Sequence, residues 1–327
     1  MKLMRYSRKH EPSALARLGV LVGHNLVADL RAGYALYLVD QTDNAKGREL
    51  AAIYMPAYIA QFLHMGEPAW LALADAYTYL EGLARNSPDA AGLNGEQLFI
   101  PLDECRLYAP VRPSKLIAVG RNYPGRTRNP GKQAGSLPAG FVKPLSSLIG
   151  PGRDILKPAN VRELDCETEL AVVIGKKCKH VREEDAYSVV AGYTIVNDVT
   201  ARDVAKLERE GGQPFLAKTY DTFCPMGPWM VTREAIPEPM HLAIRTRVNG
   251  ELRQNGNTRD MIHSIPKIIA HFSQLTLQPG DVIATGSPGG GALANPGWLL
   301  KAGDVIESEI EGIGVLKNAV VNEPKQS

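Results

Sequence analysis

Hydrophobic and polar residues follow two different periods along the chain, and the change divides the sequence into two parts. Between about residues 34 and 86, alanine, leucine and tyrosine recur with helical spacing, and EPAWLALADAYTYLEGLARN has the clearest helical pattern. Before it, ARLGVLVGHNLVADL predicts two short strands joined by a Gly-His-Asn turn. We therefore predict a small α+β N-terminal domain over residues 1–105.

From residue 106 onward, short apolar runs alternate with glycine and proline. The runs KLIAVG, LAVVIG, YTIVNDV, AIRTRVNG, DVIATG and DVIESEI predict strands. Helices are predicted for EEDAYSVVAG, ARDVAKLERE and TRDMIHSIPKIIAHFSQL. No repeat of 20–50 residues is present, which excludes a solenoid or propeller. For residues 106–327 the pattern predicts a mainly β barrel or roll with a few covering helices.

The composition of the chain argues against nucleic-acid-binding, membrane and secreted proteins. The 327 residues are 44% hydrophobic and 6% aromatic with a net charge of +2, so neither a basic footprint nor stacking platforms for nucleic acid are expected. No apolar stretch approaches the length of a membrane span or a signal core, so we expect no membrane association. The four cysteines lack CxxC spacing, which favours a reduced, cytoplasmic protein.

Acidic residues occupy every second position in ELDCETEL: Glu163, Asp165, Glu167 and Glu169. A further acid, Asp198, ends the next apolar strand in GYTIVNDV. Two glutamates on one strand face and an aspartate from another strand make an all-oxygen pocket suited to Mg²⁺, Mn²⁺ or Ca²⁺. The alternative is an exposed strand edge whose acids meet lysine and arginine, which we expect for Glu163 and Asp165. Spacing alone leaves both explanations open.

Eight segments between residues 111 and 321 resemble, in order, the fumarylacetoacetate hydrolase superfamily. They are KLIAVGRNY, FVKPLSSLIGPG, LDCETELAVVIG, AGYTIVNDVTARD, AKTYDTFCPMGPWMV, RVNGELRQNGNTRDMI, LQPGDVIATGSP and LKAGDVIESEIEGIGVLKN. The resemblance implies a β-roll or mixed β-barrel catalytic domain, usually a homodimer, that binds Mg²⁺ or Mn²⁺. The N-terminal domain is similar to one that longer members carry.

The resemblance also implies roles for individual residues. The family's metal ligands fall on Glu167, Glu169 and Asp198, its active-site lysine on Lys218, its substrate-carboxylate threonine on Thr285, and its pocket-lining pair on Arg121 and Tyr123. Family members typically act on 2-oxo acids and 1,3-diketones, where the cation serves as a Lewis acid.

One family motif is missing. Hydrolytic relatives carry NYxxHxxE, whose His and Glu activate water, whereas this chain reads NYPGRTRN with Arg126 and Asn129 at those positions. Arginine stays protonated and cannot serve as a base. We expect residues 127–140, rich in glycine and proline, to form a lid over the metal.

Three functions remain open at this stage. The first is metal-dependent C–C bond hydrolysis of a small 2-oxo or β-diketo acid such as an acylpyruvate, with the base supplied from elsewhere. The second is an isomerase, dehydratase or decarboxylase that needs no activated water, with Arg126 binding a second anionic group of the substrate. The third is a non-catalytic binding protein.

Two expectations concern side chains near the site. We expect Arg202 and Asp203 to form a structural ion pair beside Asp198. We expect His263 to lie on the helix predicted from TRDMIHSIP, as a structural histidine.

Overall fold

The computed structural model describes residues 1–124, 135–211 and 215–324. These residues form nineteen strands: β1 Lys2–Arg8, β2 Arg17–Val22, β3 Leu26–Asp29, β4 Phe99–Pro101, β5 Cys105–Tyr108, β6 Leu116–Gly120, β7 Ala139–Lys143, β8 Leu148–Ile149, β9 Ile155–Lys157, β10 Leu164–Asp165, β11 Thr168–Ile174, β12 Val190–Asn197, β13 Thr200–Ala201, β14 Cys224–Thr232, β15 Ala243–Val248, β16 Glu251–Asn257, β17 Val282–Ala284, β18 Val305–Ile310 and β19 Gly314–Asn322. They also form six α-helices: α1 Leu30–Thr42, α2 Gly47–Tyr54, α3 Ile59–His64, α4 Glu67–Asn86, α5 Arg202–Glu210 and α6 Ile265–Phe272.

Twelve of the strands make one mixed sheet. Its main path runs β4-β3-β2-β1-β14-β12-β11-β17-β6-β7, with β5 paired to β1 and β8 to β14. A second sheet of five strands has the order β16-β15-β18-β19-β9, and β10 pairs with β13 alone. The predicted class, mainly β with α, is confirmed. Because β1 pairs antiparallel with β14, the large sheet continues across the boundary predicted near residue 105.

Both faces of the large sheet are covered, as its apolar central strands require. Along β11, Ala171 and Val173 belong to a core that contains helices α1 to α4, whereas Leu170, Val172 and Ile174 belong to a core on the other face. This alternation follows from the two-residue period of a strand. Among the described residues, no helix has both the length and the apolar character needed to cross a membrane.

The predicted N-terminal elements are present. Helix α4 covers residues 67–86 as predicted, with Pro68 in its first turn and Ala69, Leu73, Ala76 and Leu80 buried along one stripe. Strands β2 and β3 form the predicted hairpin, with Leu21 opposite Val27.

One helix prediction was wrong, and a second was correct for only part of its segment. EEDAYSV forms the 3₁₀ helix Glu183–Val189, and the residues after it begin strand β12. In the second segment only Ile265–Phe272 is α-helical, because Pro266 is tolerated in a first turn but not in a helix interior, and Ser264 caps the start. His263 therefore lies before the helix and not on it.

Candidate active site around three buried carboxylates

The ends of strands β10, β11 and β12 bring the predicted acids together. Glu167 lies between β10 and β11, Glu169 lies within β11, and Asp198 follows β12, which pairs antiparallel with β11. The Asp198 backbone N–H donates to the Glu167 carbonyl at 2.8 Å, which fixes the two strand ends against each other. One carboxylate oxygen from each of the three residues lies within 4.8 Å of the others, and all three residues are buried.

Two lysines hold this carboxylate group. The Lys218 ammonium donates to Glu167 Oε2 at 2.9 Å, to Thr200 Oγ1 at 2.9 Å and to Asp198 Oδ2. The Lys143 ammonium donates to Asp198 Oδ1 at 2.7 Å and to the Lys218 carbonyl. Burial opposes the charge of Lys218, but Asp198 and Glu167 outweigh it and raise the pKa of that amine. The Lys218 amine therefore serves as a fixed positive charge.

Arg202 makes the third cationic contact with the cluster. Its partners show that two predictions, an exposed Asp165 and an Arg202–Asp203 ion pair, were wrong. Its Nε and Nη2 donate to Asp165 Oδ2 at 2.9 and 2.7 Å, and Nη2 also donates to Glu167. Asp165 is buried and not on an exposed edge, because β10 pairs it with Thr200, two residues before Arg202. Asp203 is not the partner of Arg202; it accepts from the Arg162 backbone N–H at 2.8 Å. Glu163 is exposed, as expected.

Of the four buried carboxylates in the described residues, Glu169 is the one whose negative charge is least compensated by nearby cations. Four buried carboxylates (Asp165, Glu167, Glu169 and Asp198) face three cations (Lys143, Lys218 and Arg202). Glu169 accepts a hydrogen bond from the Gly286 backbone N–H at 2.9 Å. Burial, and next the charges of Asp198 and Glu167, raise the pKa of Glu169 well above its usual range. A divalent cation fits this set, because its ligands are hard oxygens and its charge would compensate the excess.

Two of the predicted substrate-binding residues, Thr285 and Tyr123, lie close to this cluster. Thr285 is buried after β17, where its hydroxyl donates to the Leu170 carbonyl at 2.9 Å. Tyr123 is buried, and its hydroxyl has no hydrogen-bond partner among the described residues. Burial, and then the Glu169 charge, raise the pKa of Tyr123. Arg121 is exposed with a φ of 57°, and Arg126 lies outside the described residues.

The side chain of Asn122 holds the segments that carry Tyr123 and Thr285 in place. Its Nδ2 donates to the carbonyls of His263 at 3.0 Å and Thr285 at 2.8 Å, and its Oδ1 accepts from the His263 backbone N–H at 2.8 Å. One buried amide thus ties the turn after β6 to the turn after β17. The predicted lid falls mostly outside the described residues, and its described end, residues 135–140, runs into β7.

Three features of the site were not predicted from the sequence: Lys143, the pairing of Arg202 with Asp165, and the ring of Phe141. The Lys218 ammonium lies 5.4 Å from the Phe141 ring centroid and that of Lys143 lies 6.0 Å away, within range of cation–π attraction. Lys143 is the last residue of an apolar strand and precedes a proline, and this strand-end position was the available signal.

Comparisons with known proteins give a consistent result. The family profile described as fumarylacetoacetate (FAA) hydrolase C-terminal matches residues 115–321. The human protein "oxaloacetate tautomerase FAHD2A, mitochondrial" is 42% identical over 270 residues, covering 82% of this chain and 81% of the relative.

Two solved structures resemble the whole chain. Maleylpyruvate hydrolase from Sphingobium sp. SYK-6, in complex with manganese(II) and pyruvate, is 32% identical with a TM-score of 0.71 and covers 99% of this chain and 100% of its own. The 5-carboxymethyl-2-hydroxymuconate delta-isomerase from Mycobacterium smegmatis is 31% identical with a TM-score of 0.69 and the same coverage. The profile match over residues 115–321 and the 42% identity to the human relative show that this chain belongs to the fumarylacetoacetate hydrolase family.

Proposed function

We propose that this protein is a divalent-metal-dependent tautomerase that interconverts the enol and keto forms of a small 2-oxo acid, with oxaloacetate as the representative substrate. The observation that carries the proposal is the replacement of the water-activating pair by Arg126 and Asn129 in a chain that keeps the whole carboxylate and lysine cluster. A tautomerisation moves one proton between carbon and oxygen and consumes no water, so it does not need that pair. The name of the human relative supports the same reaction.

The cluster assigns distinct tasks to its residues. Glu167, Glu169 and Asp198 would hold Mg²⁺ or Mn²⁺, with Ca²⁺ as a third option, and the bound ion would polarise the 2-oxo group as a Lewis acid. Lys218 contributes a buried ammonium, which favours negative charge on a substrate oxygen beside it. Lys143 positions Asp198 through its bond of 2.7 Å.

The remaining contacts to the substrate come from the pocket residues. Tyr123 offers a buried hydroxyl without a partner among the described residues, so a substrate oxygen can bond to it without displacing a protein group. Thr285 would have to redirect its hydroxyl from the Leu170 carbonyl to bind a substrate carboxylate. We assign Arg121 and Arg126 to the anionic end of the substrate, since guanidinium groups bind carboxylates through two parallel hydrogen bonds.

C–C bond hydrolysis is the second candidate. The likeness to maleylpyruvate hydrolase over 99% of the chain favours it. It requires a base outside the NYPGRTRN stretch, however, whereas tautomerisation does not require an activated water. A purely binding role is less well supported, because the chain retains Lys218 together with all three carboxylates.

We also propose a homodimer, as the family resemblance implies, with small-molecule oxo acids as partners. The cytoplasm is our proposed compartment, because all four cysteines are free, as is usual where thiols stay reduced. The human relative is named as mitochondrial, so localisation of a tagged full-length chain is the measurement that separates these compartments.

The test compares two reactions in one preparation. Enol-oxaloacetate, followed by its ultraviolet absorbance in the presence of Mg²⁺ or Mn²⁺, should convert faster with the protein than without it. Pyruvate release and cleavage of an acylpyruvate are measured beside it and should stay at background. Acylpyruvate cleavage with enol decay at the uncatalysed rate would establish the hydrolase and reject the tautomerase. Glu169→Gln is the inactive control.

A further inference from the structure

A second concave region lies where the N-terminal strands meet the large sheet. Strands β1 and β5 pair antiparallel, with Arg5 opposite Tyr108 and Ser7 opposite Arg106. Because alternate residues of a strand share a face, Arg5, Arg106 and Tyr108 project from the same side of this pair. They line a cavity of about 760 Å³, a volume typical of small-molecule sites.

Arginine dominates the wall of this cavity. Its lining includes Arg5, Arg106, Arg112 and Arg153 and contains no aspartate or glutamate. A neighbouring cavity of about 590 Å³ shares Arg106 and Arg153, adds Lys9, and also has no acidic residue in its lining. The positive charge is therefore concentrated and lacks a counter-charge within the wall.

None of these four arginines makes an ion pair with a carboxylate in the described part of the chain, whereas Arg17, Arg202 and Arg247 do. Arg106 donates to the Lys9 carbonyl at 2.8 Å, a neutral acceptor. Like charges that share a concave wall repel one another, and the repulsion is relieved when an anion enters.

The guanidinium group of Arg5 is held by aromatic rings, and part of its hydrogen-bonding capacity is unused. Its guanidinium carbon lies 4.4 Å from the Tyr58 ring centroid and 4.9 Å from that of Tyr108, so aromatic rings contact the planar group. Its Nε is buried and has no acceptor among the described residues, and Nη2 makes only a long bond of 3.4 Å to the Tyr58 hydroxyl. A buried donor without an acceptor is what a ligand oxygen would satisfy.

We propose that this arginine cavity, lined by Arg5, Arg106, Arg112 and Arg153, is a binding site for a small polyanion that carries at least two phosphate or carboxylate groups. A single anionic group engages one or two guanidinium groups, so four arginines call for a multiply charged ligand. The site is separate from the carboxylate cluster, because none of its lining residues belongs to that cluster.

The experiment titrates full-length, metal-free protein by calorimetry with inorganic pyrophosphate and, separately, with propane-1,2,3-tricarboxylate. Because Arg121 and Arg126 of the proposed active site can also attract these anions, the binding that the cavity variant loses is what reports on the arginine cavity. The variant Arg112→Gln/Arg153→Gln removes two exposed arginines of the wall. Arg85→Gln/Arg182→Gln removes the same charge from exposed positions outside both cavities.

We expect saturable binding to the wild type, at least tenfold weaker in the Arg112→Gln/Arg153→Gln variant and within twofold of wild type in the matched control. Binding of pyrophosphate alone assigns a phosphate ligand, and binding of the tricarboxylate alone assigns a carboxylate ligand. No saturable binding of either probe overturns the proposal. Equal weakening in both variants also overturns it, because the attraction would then be general and not local. Unchanged thermal unfolding midpoints verify that both variants are folded.

Discussion

The buried carboxylates Asp165 and Glu169 have opposite kinds of partners. Asp165 accepts two hydrogen bonds from Arg202 and two more from the backbone N–H groups of Cys166 at 2.9 Å and Ala292 at 3.1 Å. Glu169 accepts one from the Gly286 amide and faces the charges of Asp198 and Glu167. The charge of Asp165 is therefore compensated in the metal-free protein, and that of Glu169 is not.

These contacts predict that neutralising Asp165 and neutralising Glu169 change the free energy of unfolding in opposite directions. In metal-free protein, Asp165→Asn should lower the free energy of unfolding by about 1–3 kcal/mol, because Arg202 loses one of its two buried carboxylate partners and keeps only Glu167. Glu169→Gln should raise it by about 1 kcal/mol, because repulsion is removed and little pairing is lost. Urea unfolding measures both. A loss of equal size in the two variants would contradict this account of the site's charges.

The four cysteines are each placed where a thiolate is disfavoured. Burial raises the pKa of Cys105 to about 11 and that of Cys224 to about 12, and it also raises the pKa values of Cys166 and Cys178. Since the thiolate is the reactive form, native protein should react slowly with iodoacetamide near neutral pH, with half-exposed Cys178 first.

Intact-mass spectrometry checks this prediction against a denatured control, which should gain four adducts in the same time. Rapid modification of Cys105 or Cys224 in the native protein would show that these thiols are less shielded than described.

Sequence spacing made the three converging acids candidates for one pocket, because both periodicity and strand ends are local properties, and the family resemblance then favoured that pocket over an exposed edge. Lys143 was missed because its partner Asp198 is 55 residues away, and Arg202 was misassigned because Asp165 is 37 residues away. Such pairings depend on how strands are ordered in the sheet, which local pattern does not specify. The roles of Arg121, Tyr123, Lys218 and Thr285 rest on resemblance to the family and stay predictions.

At the scale of single elements, strong periodicity was the reliable guide. The stripe in α4 is long enough to determine both helix and boundaries, and the apolar runs correctly located β6, β11, β12 and β18. The helix prediction for EEDAYSVVAG was wrong because its apolar half begins the buried strand β12. A short apolar run has no periodicity that distinguishes a helix from a strand.

Strands β12 and β14 approach each other closely at Gly192, so adding a side chain there should lower the stability of the protein. A Cβ added to Gly192 would lie 2.2 Å from the Val231 carbonyl oxygen, and backbone cannot yield cheaply there. Gly192→Ala should therefore destabilise the protein by about 1–3 kcal/mol.

Gly82→Ala in α4 is the matched control. Apart from the backbone of its own helix and its chain neighbours, no described atom lies within 4 Å of its added Cβ, so the better helix former should stabilise the protein by about 0.5–1 kcal/mol. Urea unfolding of the two variants should shift in opposite directions, and a shift in the same direction would be inconsistent with the described packing.

At the scale of the whole molecule, the large sheet places two chemically different sites on one scaffold. The ends of β11 and β12 carry the carboxylate cluster, and the β1 and β5 pair carries the arginine cavity. Strand β1 joins the N-terminal part to β14, so residues 2–8 belong to the same sheet as β11 and β12. The sequence predicted two regions but not this shared sheet, because long-range pairing leaves no local signal. The domain boundary near residue 105 remains a prediction.

The central claim is that the three converging carboxylates hold a divalent ion on which the reaction depends. The most direct test measures enol-oxaloacetate conversion by protein that has been stripped with a chelator and verified metal-free by elemental analysis. We expect at least a hundredfold loss of rate, restored by Mg²⁺ or Mn²⁺ in the wild type and not in Glu169→Gln. Undiminished conversion by the verified metal-free wild type would contradict the claim.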